Sequence, residues 1–217
     1  MVEAVLQTAV ELKAEIVLIQ EPREGKDGTV SHPGFRNIMK EKKVWIAISN
    51  EARARIDPVD IVGGEGYVQA VDVTVNKRKY RVVNVYDQKM PNSSRSWSRL
   101  LRSRCIIAGD MNAHSRMWNA RAGRTKGNAR FWEGIVEDFE CRIWNTEEET
   151  RWGLNAANHS IIDLTLPIGD VELNWFITGD EHHTGSDHAA IGWEILGLGS
   201  VATHGLGRKR MEYGGGA

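Results

Sequence analysis

The chain has 217 residues and balances 28 Lys and Arg against 29 Asp and Glu, a formal net charge of −1. That length fits one large domain, and the apolar fraction with eight Trp is ample for a core. The balance argues against a globally basic nucleic-acid binder, no apolar run approaches membrane-spanning length, and the start lacks the basic-then-apolar pattern of a secretory leader.

Apolar residues at 2, 5, 6, 9, 10 and 12 form a helical stripe over 2–13. Residues 16–20 read as a strand, 23–36 as a polar loop, 44–49 as a short strand and 56–62 as another. Alternation over 67–75, a turn at 76–79 and a return strand at 80–86 predict a hairpin. A short helix is expected at 96–101. After Asp110 a loop runs to about 128. A helix over 131–139 turns Phe131, Trp132, Ile135, Val136 and Phe139 inward. Strands near 141–144, 161–166, 172–177 and 189–195 complete a domain spanning 1–196. Many strands with few helices between them predict a two-sheet α/β sandwich. Residues 197–217 read as a Gly-rich tail or linker carrying Arg208, Lys209 and Arg210. Cys105 and Cys141 cannot build a disulfide framework, and their apolar neighbours mark them as reduced core thiols of an intracellular protein.

The most telling stretch is Ile106-Ile107-Ala108-Gly109-Asp110-Met111-Asn112-Ala113-His114. It reads as a buried strand that stops at a turn and presents a carboxylate beside a carboxamide. On extended backbone Asp110 and Asn112 point to one side. Gly-Asp-x-Asn serves equally well as a turn whose side chains cap backbone groups. Three further segments shift the balance. Residues 15–22 end a strand in Glu21, Ile161-Ile162-Asp163-Leu164-Thr165-Leu166 carries Asp163, and Asp187-His188 precedes the run 189–193. Four acids and a His beside apolar strands point to a cation or proton-transfer site.

Gln20-Glu21-Pro22, Asn84-Val85-Tyr86, Gly109-Asp110-Met111-Asn112-Ala113-His114, Ile162-Asp163-Leu164-Thr165 and Ser186-Asp187-His188 occur in the order found in the endonuclease/exonuclease/phosphatase superfamily. Over residues 1–195 the chain resembles its retrotransposon branch, the endonuclease domain of non-LTR (LINE-type) elements. The resemblance implies a DNase I-like fold, two mixed sheets packed as a sandwich and flanked by helices, with the site at one edge. It implies a metal-dependent phosphodiesterase that nicks target DNA with Mg²⁺, or Mn²⁺ as the alternative ion. Glu21 would bind the metal, and Asp187 would assist near the metal or the leaving group. Asp110 would activate or align the attacking water, and Asn112 would orient it or a phosphate oxygen. His188 would contact the phosphate, with Asp163 fixing its tautomer and raising its pKa, and Tyr86 would donate to phosphate. DNA is the implied partner, a reverse-transcriptase region the implied downstream neighbour, and the nucleus the implied compartment.

Local charge agrees with a DNA partner. Residues 95–130 hold Arg95, Arg99, Arg102, Arg104, Arg116, Arg121, Arg124, Lys126 and Arg130 against Asp110 alone. They form either a solvated face or a phosphate-facing patch. His114, Arg116, Arg121 and Arg124 are the candidate DNA contacts, although His114 serves equally as a turn cap. His182 and His183 read as solvated.

The pattern departs from the resembled family in two places. The family opens with a strand ending in an Asn that supports the metal, whereas Met1 here begins directly in the following helix. The segment between Tyr86 and Ile106 is also short. These departures lead us to expect an N-terminally truncated unit that nicks poorly. Two alternatives stay open: an impaired DNA-binding remnant, and a superfamily member acting on another phosphoester, such as a phosphomonoester or abasic DNA.

Overall fold

The computed structural model describes residues 2–22, 31–61, 66–88, 94–153, 159–177 and 186–196. His182, His183 and the 197–217 tail lie outside them. The first element, α1 (Val2–Glu11), buries Val2, Leu6 and Ala9. It packs on a three-stranded antiparallel sheet, ordered β1 (Ile16–Gln20), β3 (Val44–Ser49), β2 (Phe35–Lys40). The strand β2 was not evident from alternation. A register shift between Phe35 and Asn37 breaks its period.

A five-stranded sheet forms the second layer. Its order is β4 (Arg55–Val59), β5 (Val68–Val75), β6 (Arg78–Tyr86), β7 (Arg104–Asp110), β8 (Asp163–Gly169). Only the β6–β7 pair is parallel, and α2 (Ser94–Leu100) lies on the crossover between them. Both faces of this sheet are covered, which is why β6 and β7 read as near-continuous apolar runs. Val71, Val73, Tyr80, Val82 and Ile106 face Ile46, Ile16 and Leu18 of the smaller sheet. Val83, Val85, Cys105 and Ile107 face the opposite way, against Trp97 and Leu100 of α2 and Trp132 and Ile135 of α3 (Ala129–Asp138). A third sheet, β9 (Leu173–Ile177) with β10 (Ile191–Ile195), adds Leu173, Trp193 and Ile195 to the inter-sheet core. The result is a mixed β-sandwich with α1 outside one layer and α2 and α3 outside the other.

Two expectations change in detail. The hairpin turn is confined to Asn76 and Lys77, both with positive φ (49° and 63°), so the strands run closer to it than expected. Residues 141–144 are not a strand. They lend the β8 edge the N–H groups of Arg142 and Trp144, donated to the Pro167 and Thr165 carbonyls at 3.0 Å each, and the Arg142 guanidinium, which donates to the Gly169 carbonyl at 3.5 Å. Both cysteines are free and buried, and burial raises each thiol to about 12.

Candidate active site

Sheet register assembles the site. Asp110 ends β7 and Asp163 opens β8, and the antiparallel ladder sets them opposite each other. The parallel β6–β7 ladder brings Tyr86, the last residue of β6, beside Asp110. Gly109 makes that approach feasible. Its φ is 144°, and a Cβ there would lie 2.0 Å from the Val85 carbonyl oxygen. From the facing sheet β1 delivers Glu21, whose own φ is 46°. Asn84 joins the two sheets just behind the site. Its fully buried amide donates to the Ile19 and Trp45 carbonyls at 3.2 and 2.9 Å and accepts from Gln20 Nε2 at 2.6 Å.

The turn after β7 differs from an extended reading. Asn112 has φ 45°, so it does not alternate with Asp110 along a strand. Instead its N–H donates to Asp110 Oδ1 at 2.8 Å, and its Nδ2 donates to Asp110 Oδ2 at 3.0 Å. The capping geometry and the polar pair are one structure, because the left-handed residue folds its amide back onto the carboxylate.

On the β8 side, His188 Nδ1 lies 3.0 Å from both carboxylate oxygens of Asp163. An ionised carboxylate only accepts, so Nδ1 carries the proton. Thr150, fully buried, donates to Asp163 Oδ2 at 2.8 Å and accepts the Ile162 and Asp163 N–H groups at 3.1 and 3.0 Å. Asp187 faces outward and accepts from Arg151 Nε at 3.1 Å. Nothing in the spacing singled out Thr150 or Arg151. They follow three Glu in an acidic segment with no apolar pattern.

The charges are strongly coupled. Burial, then repulsion from Asp163, raises Asp110 to about 7, with His188, the Asn112 N–H and Arg151 working against the rise. Burial alone would lower His188, but the Asp163 hydrogen bond and the charges of Asp163, Asp110 and Asp187 outweigh it and raise the imidazole above its ordinary 6.5. Tyr86 is pushed well above the usual phenol range, first by burial and then by Glu21, with which it hydrogen-bonds. Its hydroxyl also meets Asn112, so it connects the two sheets' contributions. For Asp187, burial raises the carboxyl, but Arg151 and His188 leave it below its ordinary value.

Beside Asp187 opens a cleft of about 1190 Å³. His114, Arg121, Arg124, Lys126 and Arg151 all line it, with Glu147 and Glu149. Burial, then Lys126 and Arg151, lowers His114. Arg116 is not in the lining, because its Nε is tied back to the Ala122 carbonyl at 3.2 Å. The loop is held from behind, where Ser115 Oγ donates to Glu133 of α3 and Trp118 Nε1 donates to the Ala113 carbonyl at 3.3 Å.

The donors fit a hard divalent cation. Asp110, Asp163 and His188 offer ligand atoms within 4.8 Å of one another, and Glu21 adds a carboxylate next to Tyr86. A protonated, Asp163-bound His188 is a poor ligand, which leaves the oxygen donors as the better cation set.

A mixed five-stranded sheet packed on an antiparallel three-stranded one, where the resemblance implied two mixed sheets, with a polar edge of this kind, defines a DNase I-like α/β sandwich. Residues 80–192, more than half of the chain, match the endonuclease-reverse transcriptase family, and the chain belongs to that family. This places it in a superfamily of phosphodiesterases whose members generally depend on a divalent metal. The fold is similar to the endonuclease domain of TRAS1, a telomere-specific non-LTR retrotransposon (TM-score 0.67, 20% identity, 89% of this chain and 91% of that one). It is also similar to an endonuclease/exonuclease/phosphatase family protein from Leptotrichia buccalis (0.58, 10%, 89% and 92%) and to truncated Caenorhabditis elegans TDP2 (0.55, 13%, 89% and 89%). No curated protein sequence matches the chain. Among the described residues, no helix is long and apolar enough to cross a membrane.

Proposed function

We propose that this chain is a metal-dependent DNA endonuclease of the retrotransposon type, nicking one strand by hydrolysis of a phosphodiester. The observation that carries this reading is the convergence of Asp110, Asp163 and His188 at one sheet edge, where Tyr86 and Glu21 also arrive. A bound divalent cation, Mg²⁺ or Mn²⁺, would neutralise phosphate charge and favour ionisation of water. Glu21 would hold it, with Asp187 assisting near the cation or the leaving oxygen. Asp110, raised toward neutrality, is suited to take a proton from the attacking water, and the Asn112 amide orients that water or a phosphate oxygen. The Asp163-bound imidazolium of His188 stabilises charge that grows on the phosphate. Tyr86, kept protonated, would turn its one O–H from Glu21 to a phosphate oxygen when the cation occupies that carboxylate. His114, Arg121 and Arg124 face the DNA backbone along the cleft, and Arg116 supports their loop. We place the chain beside a reverse-transcriptase region in a longer polypeptide acting on nuclear DNA.

Supercoiled plasmid incubated with the protein decides the matter. The expected result is nicked circle with Mg²⁺, none with EDTA, and none with Asp110→Asn in either buffer. Nicking that survives EDTA, or that persists undiminished in Asp110→Asn, would overturn the reading.

A further inference from the structure

Glu21 follows β1 directly and Lys43 immediately precedes β3. The ladder that pairs Gln20 with Val44 continues one step, with the Glu21 N–H donating to the Lys43 carbonyl at 3.0 Å. The two side chains are therefore a cross-strand pair, and Lys43 Nζ lies 3.3 Å from Glu21 Oε1. The same ammonium sits 5.7 Å from the centre of the Tyr86 ring. Beside it, Lys42 Nζ lies 5.8 Å from the Tyr67 ring centre, and the Tyr67 and Tyr86 rings run within 10° of parallel at 6.4 Å. The Lys43 N–H donates to the Gly66 carbonyl at 2.7 Å. A Cβ at Gly66 would come within 2.5 Å of Lys42 Cβ, so the backbone crosses the lysines closely.

The pair is partly open to water, with the Lys43 and Glu21 side chains 32% and 48% exposed. Such a bridge is worth little net and separates readily. An ammonium and a divalent cation both seek Glu21, and they repel each other. A phosphodiester at the site offers new anionic oxygens within reach of the flexible lysine stem. We propose that Lys43 is a substrate-binding residue of this site. It neutralises Glu21 while no divalent cation is there, and it moves to a phosphate oxygen once the cation takes the carboxylate. The inference rests on the endonuclease reading and adds a backbone contact on the β6 flank, away from Arg151 and Asp187.

The test pairs calorimetric titration of Mg²⁺ without DNA with single-turnover nicking at saturating Mg²⁺. Lys43→Met should bind Mg²⁺ about 5-fold more tightly, because one competing charge is gone. It should nick at least ~10-fold more slowly, because the phosphate loses a cation. Lys43→Arg should restore the Mg²⁺ affinity and recover most of the rate. Unchanged Mg²⁺ affinity in Lys43→Met, or tighter binding with undiminished nicking, overturns the proposal. A lowered melting temperature with both readouts unchanged marks an ordinary salt bridge and overturns it too. If Glu21→Gln leaves Mg²⁺ binding intact, the site reading itself fails and this inference fails with it.

Discussion

His188 combines three restraints: Asp163 binds its Nδ1, Ser186 Oγ accepts its N–H at 3.1 Å, and Asp110 lies across the site. Its raised pKa can be tested directly. A histidine whose folded pKa exceeds its unfolded one stabilises the fold fully below the unfolded value, here 6.5, and that contribution fades as pH rises through the folded pKa. NMR titration should show His188 titrating above 6.5 in the parent and lower in Asp163→Asn. The stability advantage of the parent over that variant should accordingly shrink from pH 6 toward pH 9. In activity, His188→Ala should abolish nicking while DNA binding stays nearly intact, since a charge that meets the growing phosphate charge is expressed in rate. Binding, melting temperature and nicking falling together would make His188 a structural residue instead.

At the scale of elements, β5 and β6 are held by a polar cross-strand pair as well as by their apolar faces. Asp72 and Arg81 are directly opposed and bidentate, at 2.8 and 3.0 Å, and Lys79 adds a third contact at 2.8 Å. Burial raises the Asp72 carboxyl, but Arg81 and Lys79 overcome it and leave the pKa below 3.8. A depressed carboxylate stabilises the fold above its unfolded value and loses that contribution as pH falls through its folded value. Acid denaturation should therefore steepen below pH 3.8. Arg81→Met should flatten that limb and cost about 1–3 kcal/mol at pH 7, because it removes two charge-assisted hydrogen bonds and leaves Lys79 as the carboxylate's remaining cation. Equal acid limbs in the two proteins would remove Asp72 from the account. The same ladder shows what a sequence reveals. β5 and β6 were legible from alternation and the turn between them, and β7 because two covered faces demand an unbroken apolar run, with Gly109-Asp110 marking where that run must stop. β2 was hidden by its bulge, and 141–144 looked like a strand because an apolar edge-covering segment has similar composition. Asn112 was misjudged in conformation, since a left-handed turn and an extended strand can place the same two groups together. Thr150, Arg151 and Lys43 carry no local signal, because their partners come from distant strands and appear only when the register is known.

Across the whole molecule, near-zero net charge conceals a division of labour. The cleft beside Asp187 sets Arg121, Arg124, Lys126 and Arg151 against Glu147, Glu149 and Asp187, a small local excess of positive charge, while α3 carries Glu133, Glu137 and Asp138. A local excess of this kind attracts a polyanion to the cleft without making the protein globally basic. If the cleft grips DNA phosphates, binding must be salt-dependent, because each neutralised phosphate releases counterions. Arg121 and Arg124 are both exposed, so their removal should leave the fold unchanged. With Ca²⁺ in place of Mg²⁺ to suppress cleavage, a plot of log affinity against log salt should lose about 0.9 in slope for each phosphate contact removed, and about 1.8 for Arg121→Ala with Arg124→Ala. Arg99→Ala, on the exposed side of α2, is the control and should leave the slope unchanged. A double variant with the parent's slope would return this run to a solvated face. The site would then have to find its affinity elsewhere, on the lysine-rich flank beside Glu21.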